Sequence, residues 1–181
     1  INCLTNTDLT YENAINNKKT TIIIEDKVSY TQKTLSKAPL GYKVNQSNEI
    51  FSTYSLVPEF TEPNAIIISY GSMLKEVIDI LPDLFDEEIF PQIISPTRLS
   101  PLNLNIFKNI NFKNMPCIFI EEGSKRSAWS SEVISSLSEI GKDFNKIIRI
   151  SNEHIIPCSK EVEDLIIPSK INLLKKIKEK I

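Results

Sequence analysis

Glycine is scarce in this chain. Only four of its 181 residues are glycine, and they stand apart at positions 41, 71, 123 and 141. Neither G-x-G-x-x-G nor G-x-x-x-x-G-K-S/T can be formed, so dinucleotide binding and P-loop phosphate binding lack their signatures. No G-x-S-x-G elbow is present to expose a nucleophilic serine. Cysteine is equally sparse: Cys3, Cys117 and Cys158 are an odd, widely spaced set without a C-x-x-C pair, and His154 is the only histidine. That composition speaks against a zinc site or a disulfide framework, and it leads us to expect buried free thiols in a reducing compartment. The carboxylates do not take calcium-loop spacing. No apolar run is long enough to span a bilayer and no secretory signal is seen, so we expect no membrane partner and a cytoplasmic location. Positive charge is not concentrated: the net charge is -2 and the pI is about 5.6. Nucleic acid is therefore not expected as the main partner. The Lys-rich end, LLKKIKEKI, interleaves lysines with apolar residues and reads as the solvated face of a terminal helix.

What is present is a regular alternation of apolar runs and helical periods from Ala65 onward. Ala65–Ser69 is a continuous apolar run of the kind buried in a parallel sheet, broken by Gly71. Ser72 is placed to cap a helix from Met73 to about Leu81. Phe90–Ile94 reads as the next strand, followed by a polar loop with Arg98, Ser100 and Pro101, and a short helix at Leu102–Asn109. Cys117–Glu121 and Ile147–Ile150 are two further strands. Between them, Val133, Ile134, Leu137 and Ile140 share one face of a helix over Ser127–Ile140, which Gly141 stops. Glu161–Ile166 reads as helical, Pro168 ends it, and Ser169 caps a last helix to Ile181. Strands separated by helices predict a three-layer α/β fold: a mainly parallel sheet of about five strands, with helices on both faces and right-handed crossovers.

The first third of the chain is patterned differently. Asp8 is placed to cap a short helix through about Asn16, and the β-branched run Thr20–Ile24 predicts a strand. Ser29 to Pro63 holds Pro39, Gly41, Pro58 and Pro63, and reads as a surface-crossing linker with an extended piece near Ile50–Leu56. The expected organisation is a helix-strand unit over 1–30, a linker over 31–63, and an α/β domain over 64–181.

Two features could carry chemistry. Glu121-Glu122-Gly123 closes a predicted strand, and open α/β sheets receive ligands and partners at the carboxyl ends of their strands. Either carboxylate could act as an acid or base; the alternative is that Glu121 accepts hydrogen bonds from nearby loops while Glu122 is solvated. Trp129, early in the next helix, reads as packing or interface. His154 lies in an isoleucine-rich turn with no elbow serine to serve, so a small hydrolase built on Glu121 or His154 has no positioned nucleophile.

Four stretches resemble one family in order. IIISYGSM at Ile66–Met73 resembles an apolar strand followed by Y-G-x-M. ISPTRLSPL at Ile94–Leu102 resembles a D-L-R-T-L-x-P-L loop. IFIEEG at Ile118–Gly123 resembles V-V-V-E-E-G, and His154–Ser169 resembles a P-x-P-Y-S-x-x-L-E-D-x-x-L-P-S segment. Together they resemble the C-terminal domain of the transketolase superfamily, nearest to the beta subunit of the 2-oxo acid dehydrogenase decarboxylase component. Asn13–Tyr30 is similar to the last helix and strand of that family's pyrimidine-binding domain, and Pro39-Leu40-Gly41 to its I-P-L-G lead-in. The family's glycine-rich run after E-E-G is replaced here by SKRSAWS.

The resemblance implies the C-terminal portion of a thiamine-diphosphate-dependent 2-oxo acid dehydrogenase or transketolase-like enzyme, serving subunit assembly rather than chemistry. The complete enzyme would use thiamine diphosphate and Mg2+. No catalytic, cofactor-binding or metal residue is expected in this chain, because the glutamate that activates the cofactor lies upstream of the region matched. It implies self-association, an alpha subunit or preceding domains as partners, and a dihydrolipoyl acyltransferase met through Glu163, Asp164 and the carboxylate of Ile181. The interface or structural motif residues are then Gly71, Arg98, Pro101, Glu121, Glu122, Gly123, Trp129, Glu163, Asp164 and Ile181. The alternative is a free-standing, non-catalytic interaction module of the same fold. A chain that begins at Ile1 without Met also fits a piece of a longer polypeptide.

Overall fold

β-Branched residues set the centre of the sheet. In the computed structural model, which describes residues 1–157, 159, 162–163 and 166–181, β3 (Ala65–Ser69) is buried along its whole length. Five more strands join it: β1 (Tyr42–Gln46), β2 (Thr53–Pro58), β4 (Pro91–Pro96), β5 (Pro116–Ser124) and β6 (Lys146–Asn152). Their order is β1-β2-β4-β3-β5-β6. β4, β3, β5 and β6 pair in parallel, while β1 and β2 add an antiparallel pair at one edge.

Alternation along each strand divides the core between two faces. Ile67, Ile93, Ile118, Ile120, Ile148 and Ile150 point to one face. There they meet helices α2 (Met73–Asp79), α3 (Leu81–Asp86) and α5 (Lys170–Lys178) through Leu74, Val77, Leu84, Leu173 and Ile177. Ile66, Ile68, Ile94, Cys117 and Phe119 point to the other face, under α4 (Trp129–Glu139) and a 3-10 turn at Leu104–Phe107. The three-layer α/β arrangement is thus the observed one.

Several local expectations are corrected. The stretch read as a linker supplies β1 and β2, and its Tyr42, Tyr54 and Leu56 are buried in the core. β1 is YKVNQ, an edge strand whose residues after Tyr42 are largely polar, so it carries little of the apolar signal that marks the central strands. The run Thr20–Ile24 is not a strand. Ile22 and Ile24 are 84% and 75% exposed, because β-branched residues need a neighbouring strand to pair with and none among the described residues lies beside them. The first helix, α1 (Thr7–Asn16), is capped by Asn6 and not by Asp8: Leu9 N donates to Asn6 Oδ1 at 3.0 Å. The expected helix after Ser72 breaks at Ile80 into α2 and α3, since Pro82 lacks the N–H to continue the ladder. The short helix expected at Leu102–Asn109 is only the 3-10 turn. Cys158, and residues 161, 164 and 165 of the helix expected at Glu161–Ile166, lie outside the described residues.

Candidate functional site at the carboxyl edge of the sheet

Parallel pairing sets the ends of β3, β4, β5 and β6 side by side. Ser69 is level with Ile120, and Ile120 with Ile150. One step further along, Tyr70, Glu121 and Ser151 follow. Gly71 makes the turn after β3 at φ +59°, a conformation that suits glycine.

Glu121 is the centre of this edge. It is only 1% exposed. Its Oε2 accepts two long hydrogen bonds, from Tyr70 Oη at 3.4 Å and from the Ser130 amide at 3.3 Å. Its Oε1 has no partner among the described residues. The four ion pairs of the described residues do not include it. Glu122, exposed, points to the opposite face, and its Oε1 accepts from Ser72 Oγ at 2.8 Å. Ser72 therefore ties two strand ends together, and the side-chain cap on α2 expected of it from sequence is not formed.

Trp129 walls the site. Its ring meets Tyr70 edge-on at 5.2 Å, and its Nε1 donates to the Leu99 carbonyl at 3.0 Å. This fastens the loop carrying Arg98 to the start of α4. Burial and the neighbouring Glu121 carboxylate push the Tyr70 hydroxyl well above the ordinary tyrosine range. Arg149, on β6, donates from Nε to Ser130 Oγ at 2.8 Å and from Nη2 to the Lys125 carbonyl at 2.6 Å, pinning the loop between β5 and α4. Asn152 Nδ2 donates to the Glu122 carbonyl.

The edge carries a row of buried polar atoms without partners among the described residues: Ser69 Oγ, Thr97 Oγ1, Arg98 Nε, Glu121 Oε1, Ser151 Oγ and Asn152 Oδ1. Buried polar atoms are ordinarily paired, with other protein groups or with ordered water.

The residues singled out from sequence divide between this edge and other places. Gly71, Arg98, Glu121, Glu122, Gly123 and Trp129 gather at the carboxyl edge. Pro101, exposed, follows Ser100 in the Arg98 loop. Ile181 lies at the other end of the sheet, where its carbonyl accepts from Lys146 Nζ at 2.9 Å. Glu163 is half-buried, its backbone bonded to Ser159 and Ile167. Asp164 is outside the described residues. His154 is exposed after β6. Tyr70, Ser130 and Arg149 were not reached by reading motifs; of these only Tyr70 had a sequence signal, the Y-G pair after β3.

The edge does not fit thiamine diphosphate. A buried carboxylate beside an exposed one opposes an anionic diphosphate. Among the described residues no group of three or more ligating side chains is placed to hold a metal. No helix among them is long and apolar enough to cross a membrane.

No curated protein matches this chain. Among solved structures, a split gene transketolase described as an inactive beta4 tetramer superposes with a TM-score of 0.52 at 16% identity, covering 70% of this chain and 40% of that one. A 2-oxoglutarate:ferredoxin oxidoreductase from Magnetococcus marinus gives a TM-score of 0.46 at 15% identity, covering 71% of this chain and 19% of that one. This chain thus spans less than half the length of either structure. Residues 57–173 match the family described as Transketolase, C-terminal domain, and with most of its length so matched the chain belongs to that family.

Proposed function

We propose that the chain is the C-terminal portion of a thiamine-diphosphate-dependent 2-oxo acid dehydrogenase or transketolase-like enzyme, and that it serves assembly rather than chemistry. The observation that carries this reading is the uncovered apolar surface before the sheet. Ile15, Ile22, Ile24, Val28 and Tyr30 are all well exposed, and α1 buries no residue. Apolar side chains in such a series are suited to a neighbouring polypeptide. In this reading residues 1–30 are the tail of a preceding pyrimidine-binding domain, which with an alpha subunit would hold the cofactor and Mg2+ of the complete enzyme. The neighbour with the same fold, described as an inactive beta4 tetramer, supports self-association of such a piece. Glu163, with Asp164 and the terminal carboxylate, would meet a basic face of a dihydrolipoyl acyltransferase.

The test is the intact mass of the native polypeptide from source cells, with its co-purifying chains, followed by a 2-oxo acid decarboxylation assay. A much longer polypeptide, or a tight alpha-type partner with decarboxylase turnover, is expected. A native chain near this length with no partner and no turnover would replace the reading by that of a free-standing interaction module. Reversing the charge of Glu163 and Asp164 is expected to weaken acyltransferase binding; unchanged binding removes that partner from the proposal.

A further inference from the structure

A carboxylate that is 1% exposed, holds two hydrogen bonds of 3.3 and 3.4 Å and leaves Oε1 without a donor is an unusual thing to keep in a fold. Charge-assisted hydrogen bonds to a carboxylate run shorter, near 2.7 to 2.9 Å as a rough norm. Taking an ion out of water without a counter-charge is costly, so buried carboxylates are ordinarily paired. Glu121 has no such pair among the described residues. The neutral donors that do reach it, a phenol and one amide, both serve Oε2. The surroundings are nevertheless well fixed: Trp129 is bonded to Leu99, Ser130 is held by Arg149, and Tyr70 packs on Trp129. Tyr70, Trp129, Gly123 and Arg98 are all half-buried, while Oε1 itself is closed off from solvent, so a ligand reaches it as these neighbours give way.

We infer that Glu121 Oε1, with the aromatic wall of Tyr70 and Trp129, is a binding site for a guanidinium or primary ammonium group. The carboxylate supplies the counter-charge and the acceptor. A ring face of Tyr70 or Trp129 adds attraction for a flat or compact cation. The site rests on the geometry of Glu121 and does not depend on the chain acting as an assembly unit. The competing arrangement is internal: Arg98, whose Nε is also buried without an acceptor, would turn to pair with Glu121. The two arrangements predict opposite effects of removing the charge.

The chain has one tryptophan, Trp129, and it sits at the site. Its emission therefore reports occupancy. Agmatine, which carries both a guanidinium and an ammonium, is titrated against tetramethylammonium, which has the charge but no donor. We expect a saturable change in Trp129 emission with agmatine only, weakened at least about tenfold in Glu121→Gln and unaltered in Glu139→Gln at the far end of α4. Thermal unfolding of the free Glu121→Gln chain is expected at or above the wild-type temperature, and agmatine is expected to raise the midpoint of the wild type alone. A short peptide with one arginine separates the sources: saturation well below the agmatine concentration assigns the site to a partner's side chain, and equal or weaker binding assigns it to a free cation. No saturable change, an equal change with tetramethylammonium, or unweakened binding by Glu121→Gln overturns the site. A Glu121→Gln chain that melts several degrees lower, matched by Arg98→Gln, shows the internal pair instead.

Discussion

The hydroxyl of Ser72 donates to Glu122 Oε1 across 2.8 Å, joining the turn after β3 to the end of β5 fifty residues later. The bond lies in solvent, where gain over water is small. Ser72→Ala is therefore expected to lower stability by no more than about 1 kcal/mol, read as a small shift of the urea midpoint with an unchanged slope. A loss several times larger would mean that this contact fixes the turn itself.

The interior of the sheet is a different case. Leu137 on α4 is fully buried against the face that carries Ile66, Ile68 and Phe119, whereas Ile140 just beyond the helix is 50% exposed. Leu137→Ala removes buried methyl groups and leaves a cavity, with an expected loss of about 2–5 kcal/mol. Ile140→Ala is expected to stay within about 0.5 kcal/mol, like other surface changes. Urea denaturation of the two variants side by side checks the assignment, and equal losses would refute it.

These contrasts also explain what could be read from sequence. β3 and β5 were legible because AIII and CIFI are apolar without interruption, as strands covered on both faces require, and β6 because its isoleucines are β-branched. α4 was legible from its 3.6-residue period. β1 was not, since an edge strand such as YKVNQ buries one residue well and is otherwise largely polar. Thr20–Ile24 misled in the other direction: its composition suits a strand, but pairing is a tertiary event and no partner strand lies beside it. At the site, the rule that strand ends face ligands located Glu121 and Glu122, while Trp129 was read as packing or interface. It could not say that the Ser130 amide and Tyr70 would share one carboxylate oxygen, because those bonds cross between elements whose spacing in sequence carries no period.

Asn2 is the anchor of the amino-terminal segment. It is 5% exposed, its Oδ1 accepts from Leu4 N at 2.9 Å and from Thr5 Oγ1 at 3.0 Å, and its Nδ2 donates to Ser95 Oγ at 3.2 Å on β4. Asn2→Ala strands these buried groups, with an expected cost of about 1–3 kcal/mol. Amide hydrogen exchange supplies the local check: the Leu4 amide should exchange faster in the variant, together with the Leu35 amide that donates to the Cys3 carbonyl. An unchanged rate at Leu4 would show that the segment frays independently of Asn2.

Cys3 packs beside that anchor on the face of α2 and gives the fold a sensitivity to alkali. Burial pushes its thiol from the ordinary value of 9.0 up to about 11, with the charge of Lys75 partly offsetting the rise. The folded chain therefore holds this proton after the unfolded chain has released it. Where the folded state binds more protons than the unfolded one, stability falls as pH rises. The contribution is whole below pH 9 and is lost progressively between about pH 9 and 11. Tyr42 and Cys117 are also raised by burial and add to the alkaline slope, so the total decline alone does not isolate Cys3. The difference between wild type and Cys3→Ala does: urea midpoints measured from pH 8 to 11 should converge or cross as pH rises, the variant declining less steeply. Alkylation gives an independent readout, since iodoacetamide at pH 9 should modify Cys3 far more slowly in the folded chain than in urea. Parallel pH profiles for the two proteins, together with rapid alkylation of the folded chain, would place the thiol in water and remove it from the core.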